Sequence, residues 1–251
     1  MEFAKQHAFD ILTALGCEVD DIPTSSNGRR ADLRATVDSA SYVVEVRQKN
    51  DNFDLLAEHS DRMAAGEVVS RSESTGYNNR FAAILKDKND QILQTPSDPN
   101  EFRIVWMYVN GIDKDLHWKR AFATFYGFVQ LIALDPPNDS VTDCFYFDFS
   151  AARSLPTIDA MILTDGDDLQ LCLNEYSHHL LEFVKSPLPK HFANGIVDPV
   201  ALAKSDSIIA LRSDISRKNE DAVLNALFEQ TGTRYTTLRP EQHSASAMVG
   251  R

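Results

Sequence analysis

The chain is poor in cysteine. Cys17, Cys144 and Cys172 are far apart and odd in number, and no Cys-x-x-Cys pair occurs. Neither a disulfide framework nor a zinc ribbon is supported by that spacing, and a reducing compartment fits best. Long apolar runs are also missing. The most apolar stretch, near 122–134, is interrupted by Gly127 and Gln130 and falls short of a membrane span. The opening Met1-Glu-Phe-Ala-Lys-Gln-His7 carries acid and polar groups where a secretory signal needs an apolar run. Together these absences predict a cytoplasmic protein that does not enter a membrane. There is no Walker loop, no Gly-x-Gly-x-x-Gly and no Gly-x-Ser-x-Gly, so the common phosphate cradles and the nucleophile elbow are lacking.

What is present is an ordinary globular composition. Of 251 residues, 43% are hydrophobic and 25% charged, enough to bury a proper core. The net charge of −12 opposes the phosphate attraction that dominates nucleic-acid binding. That charge is uneven: residues 135–182 hold ten Asp/Glu against one Arg, whereas 1–50 and 62–120 are close to balanced. A nucleic-acid surface therefore belongs to the N-terminal half, and the acidic C-terminal half suits a basic protein partner.

Hydrophobic periodicity predicts helices over 2–15, 54–70, 78–93, 116–133, 176–184 and 219–230. Runs at 31–37, 42–47, 103–109, 144–149, 160–163, 169–173 and 207–211 read as strands. Residues 23–28 are turn-rich, and the last dozen residues read as loose. No internal repeat or low-complexity tract occurs. The expected class is α/β, a mixed sheet flanked by helices over 1–135 with an α+β extension over 136–251 packed on the same domain.

The chemistry concentrates in the pair of strands at 31–49. Alternation puts Leu33, Ala35 and Val37 on one face of the first strand and Asp32, Arg34 and Thr36 on the other. In the second strand Tyr42, Val44 and Val46 face one way, and Val43, Glu45 and Arg47 the other, with Lys49 continuing the polar set. A four-residue loop at 38–41 would pair Arg34 with Glu45 and Asp32 with Arg47, so that all four converge on one surface. Two adjacent carboxylates can hold Mg²⁺, which takes one or two carboxylates plus water and phosphate oxygens. The same four residues also make two ordinary cross-strand ion pairs on a solvated face, each contributing about 0.2–1 kcal/mol. Taken alone, the residues favour the ion pairs.

A wider pattern shifts that balance. The helix ending Leu12-Thr-Ala-Leu-Gly-Cys-Glu-Val19, then Arg30-Ala-Asp-Leu33, a turn, and Tyr42-Val-Val-Glu-Val-Arg47 resemble the PD-(D/E)xK nucleases, the restriction-endonuclease-like superfamily. In that family a helix precedes a hairpin bearing Asp on one strand and (Asp/Glu)-x-Lys on the next. The helix over 78–93 and the strand over 103–109 suit its order of elements. The resemblance covers roughly 1–135. It implies a restriction-endonuclease-like core that hydrolyses DNA phosphodiesters with Mg²⁺ or Mn²⁺. Asp32 and Glu45 would be metal ligands, joined by Glu2 from the first helix or, as a weaker candidate, Gln6. Two departures stand out. Ala31 replaces Pro, and Arg47 stands where the family has Lys. Arginine cannot release its proton, so a general-base role is lost and only electrostatic stabilisation survives. Lys49, on the same face, supplies an amine instead. The alternative is a catalytically inactive nuclease-fold protein that binds or regulates.

Other candidates are weaker. His178 and His179 are adjacent on an expected helix and point about 100° apart, while Asp165-Gly-Asp-Asp168 lacks the ligand spacing of a calcium loop. Trp106, Tyr108 and Trp118 have the chemistry to stack on bases, although Trp106 lies in an apolar strand. Arg29, Arg30, Lys86, Lys88, Lys119 and Arg120 read as ordinary surface charges unless they cluster with the hairpin.

Overall fold

Ala4, Ala8 and Leu12 repeat at helical spacing and are fully buried, which gives the first element, α1 (Glu2–Ala14), its core-facing stripe. The computed structural model describes residues 2–23, 30–134, 141–192 and 195–246; the turn expected at 24–28 and Arg29 lie outside them. After α1 come three antiparallel strands, β1 (Glu18–Asp21), β2 (Leu33–Val37) and β3 (Ala40–Lys49). An excursion of α2 (Phe53–Ala64) and β4 (Val69–Ser74) leads to α3 (Asn79–Gln94) and β5 (Phe102–Val109). Strand β5 lies parallel to β3. Then follow α4 (Lys114–Tyr126), β6 (Val129–Ala133), β7 (Val141–Phe145), α5 (Ala151–Ser154), β8 (Ala160–Thr164) and β9 (Leu169–Leu173). The chain continues through α6 (Leu180–Lys185), β10 (Ile196–Val197), α7 (Pro199–Lys204), β11 (Ile209–Ala210), α8 (Glu220–Thr231), β12 (Tyr235–Leu238) and β13 (Glu241–Ser246).

The fold is mixed α/β. Its principal sheet has seven strands in the order β1-β2-β3-β5-β8-β9-β10, parallel in the middle and antiparallel toward β1. Helix α1, with Phe183 of α6, covers one face through Tyr42, Val44, Val46, Ile104 and Trp106. Helices α3 and α4 cover the other through Val43, Val105, Met107 and Val109. Strand β5 is therefore buried on both faces, as its unbroken apolar run implies. A four-stranded sheet, β11-β7-β6-β12, packs against α8, and β4 pairs with β13. Among the described residues no helix is long and apolar enough to cross a membrane.

Five expectations change. The loop at 38–41 is a two-residue turn, with Asp38 and Ser39 both left-handed (φ 46° and 67°), the geometry that matches hairpin twist. The helix expected over 54–70 stops at Ala64, and the polar alternation after it pairs as β4 with β13, so 241–246 is a strand rather than loose chain. The helix expected over 116–133 ends at Gly127, whose φ of 60° and close approach to the Asp148 carbonyl (2.4 Å from a Cβ built there) admit only glycine. Residues 129–133 then form β6. The helix expected over 176–184 begins only at Leu180.

Candidate functional site

The shorter turn slides β3 by two residues against β2. Leu33 faces Val44 and Arg34 faces Val43, which sets Asp32 opposite Glu45. A two-residue slip preserves parity, so every side chain keeps its face while its partner changes. The cross-strand pairs Arg34–Glu45 and Asp32–Arg47 do not form. Arg34 reaches instead to Glu101 (Nε–Oε1 2.8 Å) and the Pro96 carbonyl (2.9 Å). The two carboxylates are thus brought side by side, close enough for Asp32 to act on the Glu45 carboxyl.

This face is not solvated, contrary to the alternation-based expectation. Helix α3 lies over it, and Glu45 is 1% exposed. Asn78 starts α3 by accepting from the Arg80 and Phe81 amides (3.0 and 3.2 Å). Phe81, Leu85 and Ile92 turn inward, and the position that completes their stripe is Lys88. Its Nζ donates to Glu45 Oε1 at 2.6 Å and to Gln91 Oε1 at 3.3 Å. The sequence reading grouped Lys88 with surface charges. The available signal was its place on the 81–85–88–92 stripe, where an apolar residue is expected.

Asp32 Oδ2 accepts from the Val46 amide at 2.9 Å, which fixes the carboxylate against β3. Glu45 Oε2 is buried without a hydrogen-bond partner among the described residues. Burial and the neighbouring Asp32 push the Glu45 carboxyl up to about 8, more than the Lys88 ammonium pulls it down. An orphaned carboxylate oxygen beside a second carboxylate fits a divalent cation that completes its shell with water and phosphate oxygens. No group of three or more His, Cys, Asp or Glu gathers for a metal among the described residues. The Glu2 side chain lies outside the described residues, and α1, which carries it, packs on the opposite face of the sheet from Glu45. Gln6, on the same helix, bonds Asp10.

Arg47 and Lys49 continue along the same face of β3. Arg47 is half-buried, and its side chain has no hydrogen bond or ion pair among the described residues, Nε included. Lys49 donates to the Asn50 carbonyl at 2.7 Å. Burial, then Arg80, and to a smaller extent Arg120 and Arg47, hold its ammonium below the usual lysine range, with Asp51 acting in opposition. Asp51 itself is occupied: it accepts from the Ile112 and Asp113 amides and from His117 Nε2 (2.6, 3.2 and 3.2 Å). Gly111 makes that loop possible, since a Cβ there would sit 2.3 Å from Asp51 Oδ2.

The remaining sequence candidates fall elsewhere. His178 and His179 precede α6, and the Asp165–Asp168 turn binds Lys114. Trp106 is fully buried and Cys17, Cys144 and Cys172 are buried thiols. Comparison with protein-family models, with curated proteins and with solved structures finds no match to this chain.

Proposed function

We propose that the chain is a divalent-metal-dependent phosphodiesterase acting on DNA, with a site of the PD-(D/E)xK type. The observation that carries this reading is the opposition of Asp32, just before β2, to Glu45 on β3, with the Lys88 amine bonded to Glu45. The order helix, antiparallel hairpin, helix, parallel strand supports it. Asp32 and Glu45 would hold Mg²⁺ or Mn²⁺, which supplies Lewis-acid polarisation of the scissile phosphate when bound. In this reading Lys88, bonded to Glu45, would take the part of the family's motif lysine that Arg47 lacks: its ammonium would offset charge building on the phosphate oxygens. Arg47 adds a second, permanent positive charge two residues from Glu45 on the same face.

Burial favours one other reading. Glu45 and Lys88 are withdrawn from solvent (side chains 1% and 7% exposed), which suits a non-catalytic binding module that keeps the same core. Incubating the protein with plasmid and single-stranded DNA, with and without Mg²⁺ or Mn²⁺, separates the two. The hydrolase reading expects metal-dependent cleavage that Asp32→Ala and Glu45→Ala each lower on the order of a hundredfold or more. Cleavage indifferent to both substitutions removes the site, and metal-insensitive inertness leaves the binding module.

A further inference from the structure

Beyond Glu45, Arg47 and Arg80 form no ion pair among the described residues. Arg47 and Lys49 follow Glu45 on one face of β3, about 3.3 Å of rise per residue and hence about 6.6 Å between neighbours of that face. Arg80, exposed at the start of α3, forms no ion pair among the described residues and lies within electrostatic range of Lys49. Arg120, from α4, is within the same range. Its own partners are Glu73 (2.6 Å) and the Ser74 carbonyl (2.8 Å). Like charges this close repel, and Asp51, the acid that acts on Lys49, already binds His117 and two amides. In a chain of net charge −12 such a concentration is not a general property of the surface.

Arg120 also links this row to a cavity. Ser74, whose carbonyl it holds, lines a cavity of about 790 Å³ floored by Trp118, Phe122 and Phe128. Trp118 and Phe122 are one helical turn apart on α4 and half-buried, so their rings are only partly covered. Asp115 and Glu241 are the acids of its lining; the lining Arg239 is held by Asp148 and Glu220. The volume falls within the range of small-molecule sites and is ample for a nucleobase.

A row of cations beside a cavity with aromatic lining is what a single nucleic-acid strand requires: charge for the backbone and a ring face for a base. We infer that a single strand of DNA runs along Arg47, Lys49 and Arg80 and seats an unpaired base in the cavity against Trp118. The inference deepens the hydrolase reading, on which it rests for the direction of the strand toward Glu45, by assigning a single-stranded substrate. A duplex presents its bases already stacked and offers none to the cavity.

The chain has two tryptophans, and Trp106 is fully buried in β5, so fluorescence quenching by a bound base reports Trp118. The full chain is titrated with an oligothymidylate of about 16 nucleotides, without divalent ions. Saturable quenching is expected. With three phosphates contacted, log affinity should fall against log salt with a slope of about −2. Arg80→Ala, at an exposed position, should weaken binding about three- to tenfold and flatten the slope by about 0.7. Trp118→Phe should abolish the quenching while an anisotropy titration still shows binding. Thermal melts confirm that each variant is folded. Absent quenching, a slope unchanged by both Arg80→Ala and Lys49→Ala, or equal binding of a duplex of the same length overturns the inference. Because no metal is present, the titration reads binding apart from cleavage, so a chain that binds without ever cleaving loses the hydrolase reading and keeps this one.

Discussion

Glu45 in the seven-stranded sheet and Glu175 after β9 are both carboxylates withdrawn from water. Each gives one oxygen to a cation, Lys88 in the first case and Arg212 in the second. Each keeps a buried Oε2 without a hydrogen-bond partner among the described residues. Their surroundings differ. Beside Glu175 lies the Tyr146 hydroxyl, pushed well above the usual tyrosine range by burial and by that carboxylate. Tyr146 holds a left-handed backbone (φ 63°), and Arg217 donates to its carbonyl and to those of Ser213 and Ile215. The arginines there fasten a loop. Beside Glu45 lies a second carboxylate instead. Two adjacent acids, one of them fully buried, raise the free energy of the folded chain unless a proton or a cation joins them. A single buried acid on a half-solvated arginine is structural. A buried acid beside a half-buried one is suited to hold an ion.

The largest expected effect tests that contrast through pH. Glu45 ionises near 4.5 when unfolded and near 8 when folded, so between those values the folded state holds a proton that the unfolded state has released. Stability contributed by this group is complete below about 4.5 and is lost as pH rises through about 8. The loss should total on the order of 3–5 kcal/mol over the window. Urea unfolding at a series of pH values checks this against Glu45→Gln, which should remove the slope. Millimolar Mg²⁺ should restore stability above pH 8 in the parent alone and release about one proton per ion near neutrality. A Glu45→Gln variant with the parent's pH slope would show that the pair is not the source.

Next in size is Lys88→Met, which keeps the aliphatic stem and removes the ammonium. With Glu45 ionised the variant should lose about 3–5 kcal/mol, because a buried charge is left alone. At pH 6, with Glu45 protonated, only about 1 kcal/mol of hydrogen bonding is at stake. A loss equal at both pH values would mean that Lys88 acts through packing, and would return its charge to an incidental role.

The polar face of the hairpin was legible because strand alternation is strict: Asp32, Glu45, Arg47 and Lys49 had to share a side in any register that buried Leu33, Ala35, Val44 and Val46. Which residues met was not legible. That depended on whether Asp38-Ser39 could both adopt left-handed backbone, a choice that their side chains permit and do not demand. The burial of the face escaped for another reason. Alternation distinguishes two sides of a strand and cannot say that a helix sixteen residues long will cover the polar one. Lys88 was hidden by the same logic, since a lysine on an amphipathic helix is ordinarily read as solvent-facing whatever its phase. The expected helix runs past Gly127 because apolar residues resume after it into β6, and the close approach of Asp148 forces the stop.

Glu175→Gln comes third. The exposed side of Arg212 keeps that guanidinium hydrated when its partner loses charge, so the cost should be about 1–2 kcal/mol by thermal or urea unfolding. Metal-linked stabilisation should be unchanged. A loss as large as that from Lys88→Met would erase the distinction between the two acids.

The smallest effect decides the register on which the site depends. Arg34 sits two residues from Asp32 on the same face of β2, and a two-residue difference in pairing would have delivered its guanidinium to Glu45. It lies instead against Glu101, with its side chain 37% exposed, so Arg34→Ala should cost less than about 1 kcal/mol. The informative quantity is the coupling rather than the loss. A double-mutant cycle between Arg34 and Glu101 should return a few tenths of a kcal/mol or more, and one between Arg34 and Glu45 close to zero. If the larger coupling fell on Glu45, the cross-strand ion pair would exist, Asp32 would face Arg47, and the carboxylate pair would not be there to bind an ion.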